Sequence, residues 1–121
     1  MTNYKKLDAW KQAMELLKDV YLLTASYPKE EQYSLTSQTR RAAISVPTNI
    51  AEGMGRQYKK DTLQFLHIAR GSLYELETLF CIAATVNVLQ EDAYQEISSK
   101  TETCLRILNG FINHIENSQL K

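Results

Sequence analysis

The sequence predicts an all-α protein, an antiparallel up-down-up-down four-helix bundle. Three observations carry the prediction. Apolar residues recur at helical spacing through four segments, each roughly 20 to 26 residues long. Only two prolines and four glycines punctuate the 121 residues, which favours long helices over many short strands. The intervals between segments are short, so consecutive helices must pack as antiparallel neighbours.

The first helix is expected from Leu7 to Tyr27. Leu7, Trp10, Ala13, Met14, Leu17, Val20, Tyr21 and Thr24 share one face, with Lys11, Glu15, Lys18 and Asp19 opposite. Pro28 ends it, because the proline ring disfavours a helical residue before it; residues 28–33 then form a short polar loop. The second helix is expected from Ser34 to Gly53–Gly55, with Leu35, Ala42, Ala43, Val46, Ile50 and Met54 as its apolar face. Pro47 lies inside it and cannot donate to the Ala43 carbonyl, a defect that costs about 3 kcal/mol and commonly kinks a helix. Gly53 and Gly55 suit a cap that needs a left-handed residue.

The third helix, Lys60 to Thr85, opens with an acid, Asp61, in its first turn. Phe65, Leu66, Ala69, Leu73, Leu76, Phe80 and Ala83 form one face, and Ile68, Leu79 and Ile82 widen it. So wide a stripe implies a central position or a second apolar contact, most simply with another copy. After a connection at Asn87, Val88 and Leu89, the fourth helix runs from Glu91 to Glu116. Ala93, Tyr94, Ile97, Thr101, Cys104, Leu105, Leu108, Phe111, Ile112 and Ile115 line its apolar side. Glu91 and Asp92 favour its N-terminus through the helix dipole.

Residues 1–121 read as one domain, long enough to bury roughly two thirds of the unfolded chain's surface without disulfides. No apolar run approaches the roughly 18 to 20 residues that span a bilayer. The opening MTNYKKLDAW has no apolar stretch after its lysines, so it is not read as a signal peptide. A soluble, cytoplasmic protein is expected. Cys81 and Cys104 both fall in apolar helical segments and are expected to be core thiols.

No constellation for catalysis stands out, and neither an enzymatic activity nor a cofactor is expected. A di-iron bundle needs Glu-x-x-His pairs, but Gln64 precedes His67 and Phe111 precedes His114 at that spacing. The run Glu52-Gly53-Met54-Gly55-Arg56 lacks the strand and the GK[ST] ending of a phosphate loop. A helix end followed by a turn explains it better.

Two features rise above this background. Ser37, Gln38, Arg41, Ser45, Thr48, Asn49 and Glu52 project from one side of the second helix. They are mostly short hydroxyls and amides, suited to hydrogen bonding with another helix or a polyanion. Arg41, Asn49 and Glu52 are expected to join one hydrogen-bond network near Pro47, with Ser45 alongside. Charge is also uneven. Residues 34–70 carry Arg40, Arg41, Arg56, Lys59, Lys60 and Arg70 against two acids, a balance of +4, and residues 71–121 carry −4. Those six cations are the candidate nucleic-acid contacts, with Tyr58 among them to stack on a base. The competing reading pairs the basic part with the acidic part, within a protomer or between copies. The candidate oligomer contacts are Ile68, Leu79 and Ile82.

The opening Tyr4-Lys-Lys-Leu-Asp-Ala-Trp10, the Tyr33-Ser-Leu-Thr-Ser-Gln38 segment and the run from Arg40 to Gly53, RRAAISVPTNIAEG, resemble the 23S rRNA intervening-sequence proteins. These are also known as the four helix bundle protein family. Phe65 to Glu77, FLHIARGSLYELE, is similar to the family's helix-three motif. The resemblance implies a bacterial four-helix protomer assembled as a homopentamer around a central channel. It further implies members encoded within insertions in 23S rRNA genes, and relatives that serve diversity-generating retroelements by engaging nucleic acid and a reverse transcriptase. Of the basic residues, Arg40, Arg41, Arg56 and Arg70 fall on or beside the matching motifs. The expectation is therefore a non-enzymatic homo-oligomer that binds structured RNA or DNA weakly, or else an adaptor that binds proteins and no nucleic acid.

Overall fold

The structure, a computed structural model, describes residues 3–121. Those residues form four α-helices and no strand: α1 (Asp8–Thr24), α2 (Ser37–Met54), α3 (Lys59–Thr85) and α4 (Glu91–Glu116). α1 packs on α2 and α4, and α3 packs on the same two, so α1 and α3 stand at diagonal corners. A single core fills the space between them, with Val20, Ile50, Leu66, Leu73, Leu76, Phe80, Leu108 and Ile112 fully buried.

The expected bounds of α3 and α4 agree with the structure to within one residue, whereas α1 and α2 are shorter than expected. α1 stops at Thr24, where the backbone tightens into i→i+3 bonds ahead of Pro28. Ser26 N–H donates to the Leu23 carbonyl at 3.2 Å and Tyr27 N–H to the Thr24 carbonyl at 3.1 Å, and hydroxyls add to the turn. Thr24 Oγ1 donates to the Val20 carbonyl at 2.8 Å and Ser26 Oγ to the Leu23 carbonyl at 2.7 Å. Ahead of α2 lie a single 3-10 turn, Lys29–Glu31, and a π-helical turn, Gln32–Thr36, which buries Leu35 and runs straight into the helix.

α2 continues through Pro47, which is buried. Thr48 Oγ1 donates to the Ile44 carbonyl at 2.8 Å and Asn49 Nδ2 to the Ser45 carbonyl at 2.8 Å, so both residues after the proline bond back one turn. The left-handed cap expected at Gly53 or Gly55 does not form: no described glycine has a positive φ, and Gly55 caps α2 at φ −87°. Gly53 is needed for close approach instead. A Cβ there would lie 3.0 Å from the Thr62 carbonyl oxygen and 3.1 Å from Phe65 Cβ. The start of α3 thus rests against α2, and Thr62 Oγ1 donates to the Gly53 carbonyl at 2.9 Å.

The left-handed residue is Asn87, at φ 63°. Val88 N–H donates to the Ala83 carbonyl at 2.8 Å and Asn87 N–H to the Ala84 carbonyl at 3.2 Å. That pair of bonds is a Schellman cap on α3, and asparagine is among the few side-chain-bearing residues that tolerate its geometry.

Three expectations about burial need correction. Leu79, assigned to an oligomer contact, is only 5% exposed and belongs to the core, because α3 is gripped by neighbours on two sides. Cys104 is a core thiol, but Cys81 is exposed on the outer side of α3. α1 is not a helix with one apolar face. Its core stripe is Ala9, Ala13, Leu16 and Val20, while Met14 and Tyr21 are about 40% exposed and Trp10 and Leu17 half-buried. Period-3.6 patterning locates apolar positions without saying which of two adjacent stripes faces the core.

Candidate interaction surfaces

The polar stripe of α2 does not form the single network expected. Its members pair locally, one turn apart. Arg41 Nη2 reaches Ser37 Oγ at 3.4 Å, and Glu52 pairs with Arg56 at 3.1 Å. Asn49 Nδ2 donates to Ser45 Oγ at 2.9 Å, and Ser72 Oγ of α3 donates to the same oxygen at 2.8 Å. Ser45, Asn49 and Ser72 therefore form a half-buried polar bridge between α2 and α3, in which Ser72 is the partner that sequence reasoning missed. Helical spacing alone gives no sign of a bond across 27 positions.

Four of the six candidate cations are engaged inside the protomer. Arg40 crosses to the end of α1: its Nε donates to Thr24 Oγ1 at 2.8 Å, and its guanidinium carbon sits 4.4 Å from the centroid of the Tyr21 ring. Arg56 pairs with Glu52 and stacks over Phe65 at 4.5 Å. Lys59 Nζ donates to the carbonyls of Glu116 and Ser118 at 3.1 and 3.3 Å, where the end of the α4 dipole favours a cation. Arg70 Nη1 donates to Asn109 Oδ1 at 3.2 Å, joining α3 to α4. Among the described residues Arg41 has only its weak bond to Ser37, and exposed Lys60 has no polar side-chain partner.

The competing reading, basic part against acidic part, does not describe the protomer either. These cations mainly meet carbonyls, hydroxyls and an amide, and the one carboxylate among their partners, Glu52, lies on the same helix as Arg40 and Arg41. Between different helices, the ion pair among the described residues joins Lys100 to Asp19 at 3.2 Å, linking α4 to α1. The hydrogen bond to Asp19 raises the Lys100 pKa above its ordinary value.

Two apolar surfaces remain open. On α3, Ile68 is 46% exposed and Ile82 44%, separated by exposed Gly71, Glu75 and Thr78. Between α1 and α2 lies a shallow groove of about 710 Å³, lined by Tyr4, Trp10, Met14, Leu17, Ile44 and Ala51 among others. Tyr4 and Trp10 meet edge to face at its rim, ring centroids 5.6 Å apart. Patterning does not reveal the groove, because it places Trp10, Met14 and Leu17 on the apolar face of α1 and puts Tyr4, Ile44 and Ala51 on no face.

The described residues contain no group of three histidine, cysteine or carboxylate side chains able to hold a metal. His67 and His114 are exposed, and His114 stacks on Phe111. Cys81 Sγ lies 3.2 Å from the Tyr94 hydroxyl, a bond that is the main reason the phenol titrates above its ordinary range. None of the helices is long and apolar enough to cross a membrane.

The profile of the 23S rRNA-intervening sequence protein family matches residues 5–110. The chain belongs to that family. The match takes in the exposed face of α3 and all of the named groove residues except Tyr4, and it stops within α4. No curated protein matches the chain. Among solved structures, the fold of this family member is similar to a crystal structure from Bacteroides thetaiotaomicron, described as a protein of unknown function from the S23 ribosomal protein family. The two share 19% identity with a TM-score of 0.80, over 87% of this chain and 95% of the other. At that identity the likeness speaks for the helical fold.

Proposed function

We propose that this protein is a non-enzymatic assembly protomer, an up-down-up-down bundle that works as a cytoplasmic homo-oligomer, with a pentamer as the form its family resemblance implies. One observation carries the reading: the bundle has a complete core and still presents two apolar surfaces on different corners. Ile68 and Ile82, exposed on a helix whose other side is fully packed, support the reading of α3 as a contact surface. Hydrogen bonds from Arg40 to the end of α1 and from Lys59 to the end of α4 support the antiparallel order.

The test is the mass in solution. Multi-angle light scattering should return a multiple of the 13.9 kDa protomer. A single species at the protomer mass at micromolar concentration would sink the proposal.

Weak binding of structured RNA or DNA is the second reading, supported by Arg41 and Lys60 lacking strong internal partners and by Tyr58 being 55% exposed. With few free cations per copy, affinity depends on repeating them around an oligomer. Filter binding at two salt concentrations tests it. Binding that falls as salt rises, and falls further in Arg41→Ala/Lys60→Ala, is expected; no binding at low salt leaves the adaptor without nucleic-acid affinity.

A further inference from the structure

We infer that copies of this chain join head to tail, the outer face of α3 in one copy seating in the α1–α2 groove of the next. The inference rests on the self-assembly proposed above and names the two surfaces that meet.

Shape is the first argument. The outer face of α3 is one exposed side of a cylinder, with Ile68, Glu75 and Ile82 spaced seven residues apart along one line. It forms a ridge from Gly71 to Ile82 and borders a depression of about 850 Å³ at Ile68, where Leu63, Gln64 and His67 also line the surface. Gly71 lies on the same side, and a Cβ built on it would meet no atom within 4 Å, so a neighbour's backbone can come close there. The α1–α2 surface is concave and apolar, with Met14 39% and Ile44 41% exposed. A ridge fills a groove; two ridges touch along a line, and two grooves enclose a void.

Charge is the second, independent argument. The cations Lys11, Lys18 and Arg41 each stand one helical turn from Met14 or Ile44, against one acid on the same stretch of α1, Glu15, while Glu52 in the lining is neutralised by Arg56. All three cations are exposed and none makes an ion pair among the described residues. On the ridge, exposed Glu75 sits between the two isoleucines, likewise without an ion pair. Ridge against ridge would bring Glu75 against Glu75, and groove against groove would oppose lysines and arginines. Ridge against groove pairs opposite signs around an apolar centre.

Position is the third. Ridge and groove lie on different corners of the bundle, since α3 is diagonal to α1. A contact between unlike surfaces leaves each copy with one free ridge and one free groove, so the chain of copies extends until it closes.

The experiment uses two full-length variants, Met14→Glu in the groove and Ile68→Glu on the ridge, with circular dichroism confirming that both fold. Each should lose the wild-type mass and run as a monomer. Mixed in equal amounts they should form a dimer of twice the protomer mass and nothing larger, because one intact ridge then meets one intact groove. Ile44→Glu with Ile82→Glu repeats the design should either first variant fail to fold. If Met14→Glu keeps the wild-type mass, or the mixture stays monomeric while wild type is oligomeric, the head-to-tail contact is wrong and self-assembly stands. A monomeric wild type overturns both.

Discussion

At the scale of single residues, burial sets two chemical properties that can be read directly. Burial pushes the Cys104 thiol up to about 11 from its ordinary 9.0, and the Tyr27 phenol up to about 12 from 10.0. The Tyr27 hydroxyl is also buried without a hydrogen-bond partner among the described residues. Below about pH 8 both groups are protonated folded and unfolded, so neither makes stability depend on pH. Above the ordinary values the unfolded chain gives up its protons first, and stability falls as pH rises. Denaturation between pH 8 and about 11 should show that fall, and Cys104→Ala should remove its earlier part. At neutral pH a thiol reagent should label Cys81 within minutes, while Cys104 waits for unfolding; equal labelling rates would contradict the burial difference. Gly53→Ala is the most damaging small change expected, since its methyl meets a carbonyl oxygen of α3 at 3.0 Å. A loss of about 1–3 kcal/mol by urea titration is predicted.

At the scale of elements, α3 owes its sharp stop to Asn87. A β-branched residue is poorly tolerated at φ 63°, so Asn87→Val should lower stability by about 1–2 kcal/mol, whereas Asn87→Gly should be close to neutral. A melting temperature unchanged by valine would count against the cap. α3 and α4 were legible because long stretches of strict periodicity override local accidents, and Glu91 marks the start of α4 without ambiguity. The approach to α2 was not legible. Ser34 carries the look of a helix start, but the chain takes a π-helical turn there, and spacing rules for α-helices do not describe one. α1 hid its second stripe for a related reason: Trp10, Met14, Leu17 and Tyr21 each sit one position after a member of the core set Ala9, Ala13, Leu16 and Val20, and both sets satisfy the same rule. Most candidate cations were legible as charges but not as partners. Arg40 and Thr24 are sixteen residues apart, and no local pattern predicts that they meet.

At the scale of the whole molecule, side chains that reach from one helix to the end of another define the bundle's two ends. Arg40 holds the finish of α1, and Lys59 holds the finish of α4, where its own N–H also donates to the Lys121 carbonyl at 2.9 Å. Lys59→Met keeps the aliphatic stem and removes the charge. It should cost about 1–2 kcal/mol and speed hydrogen exchange in the last turns of α4 before the rest of the protein is affected. Uniform exchange along α4 would show that the lysine holds nothing in place. That clasp has a further consequence. Asn87 stands exposed at the opposite end of the α3–α4 pair from Lys59, so a protease that cut there would sever the covalent link and leave the clasp and the core between the helices untouched. The two fragments should stay together as one particle, parting only in denaturant, and should rebuild the fold when made separately and mixed: a split protein whose halves recognise each other.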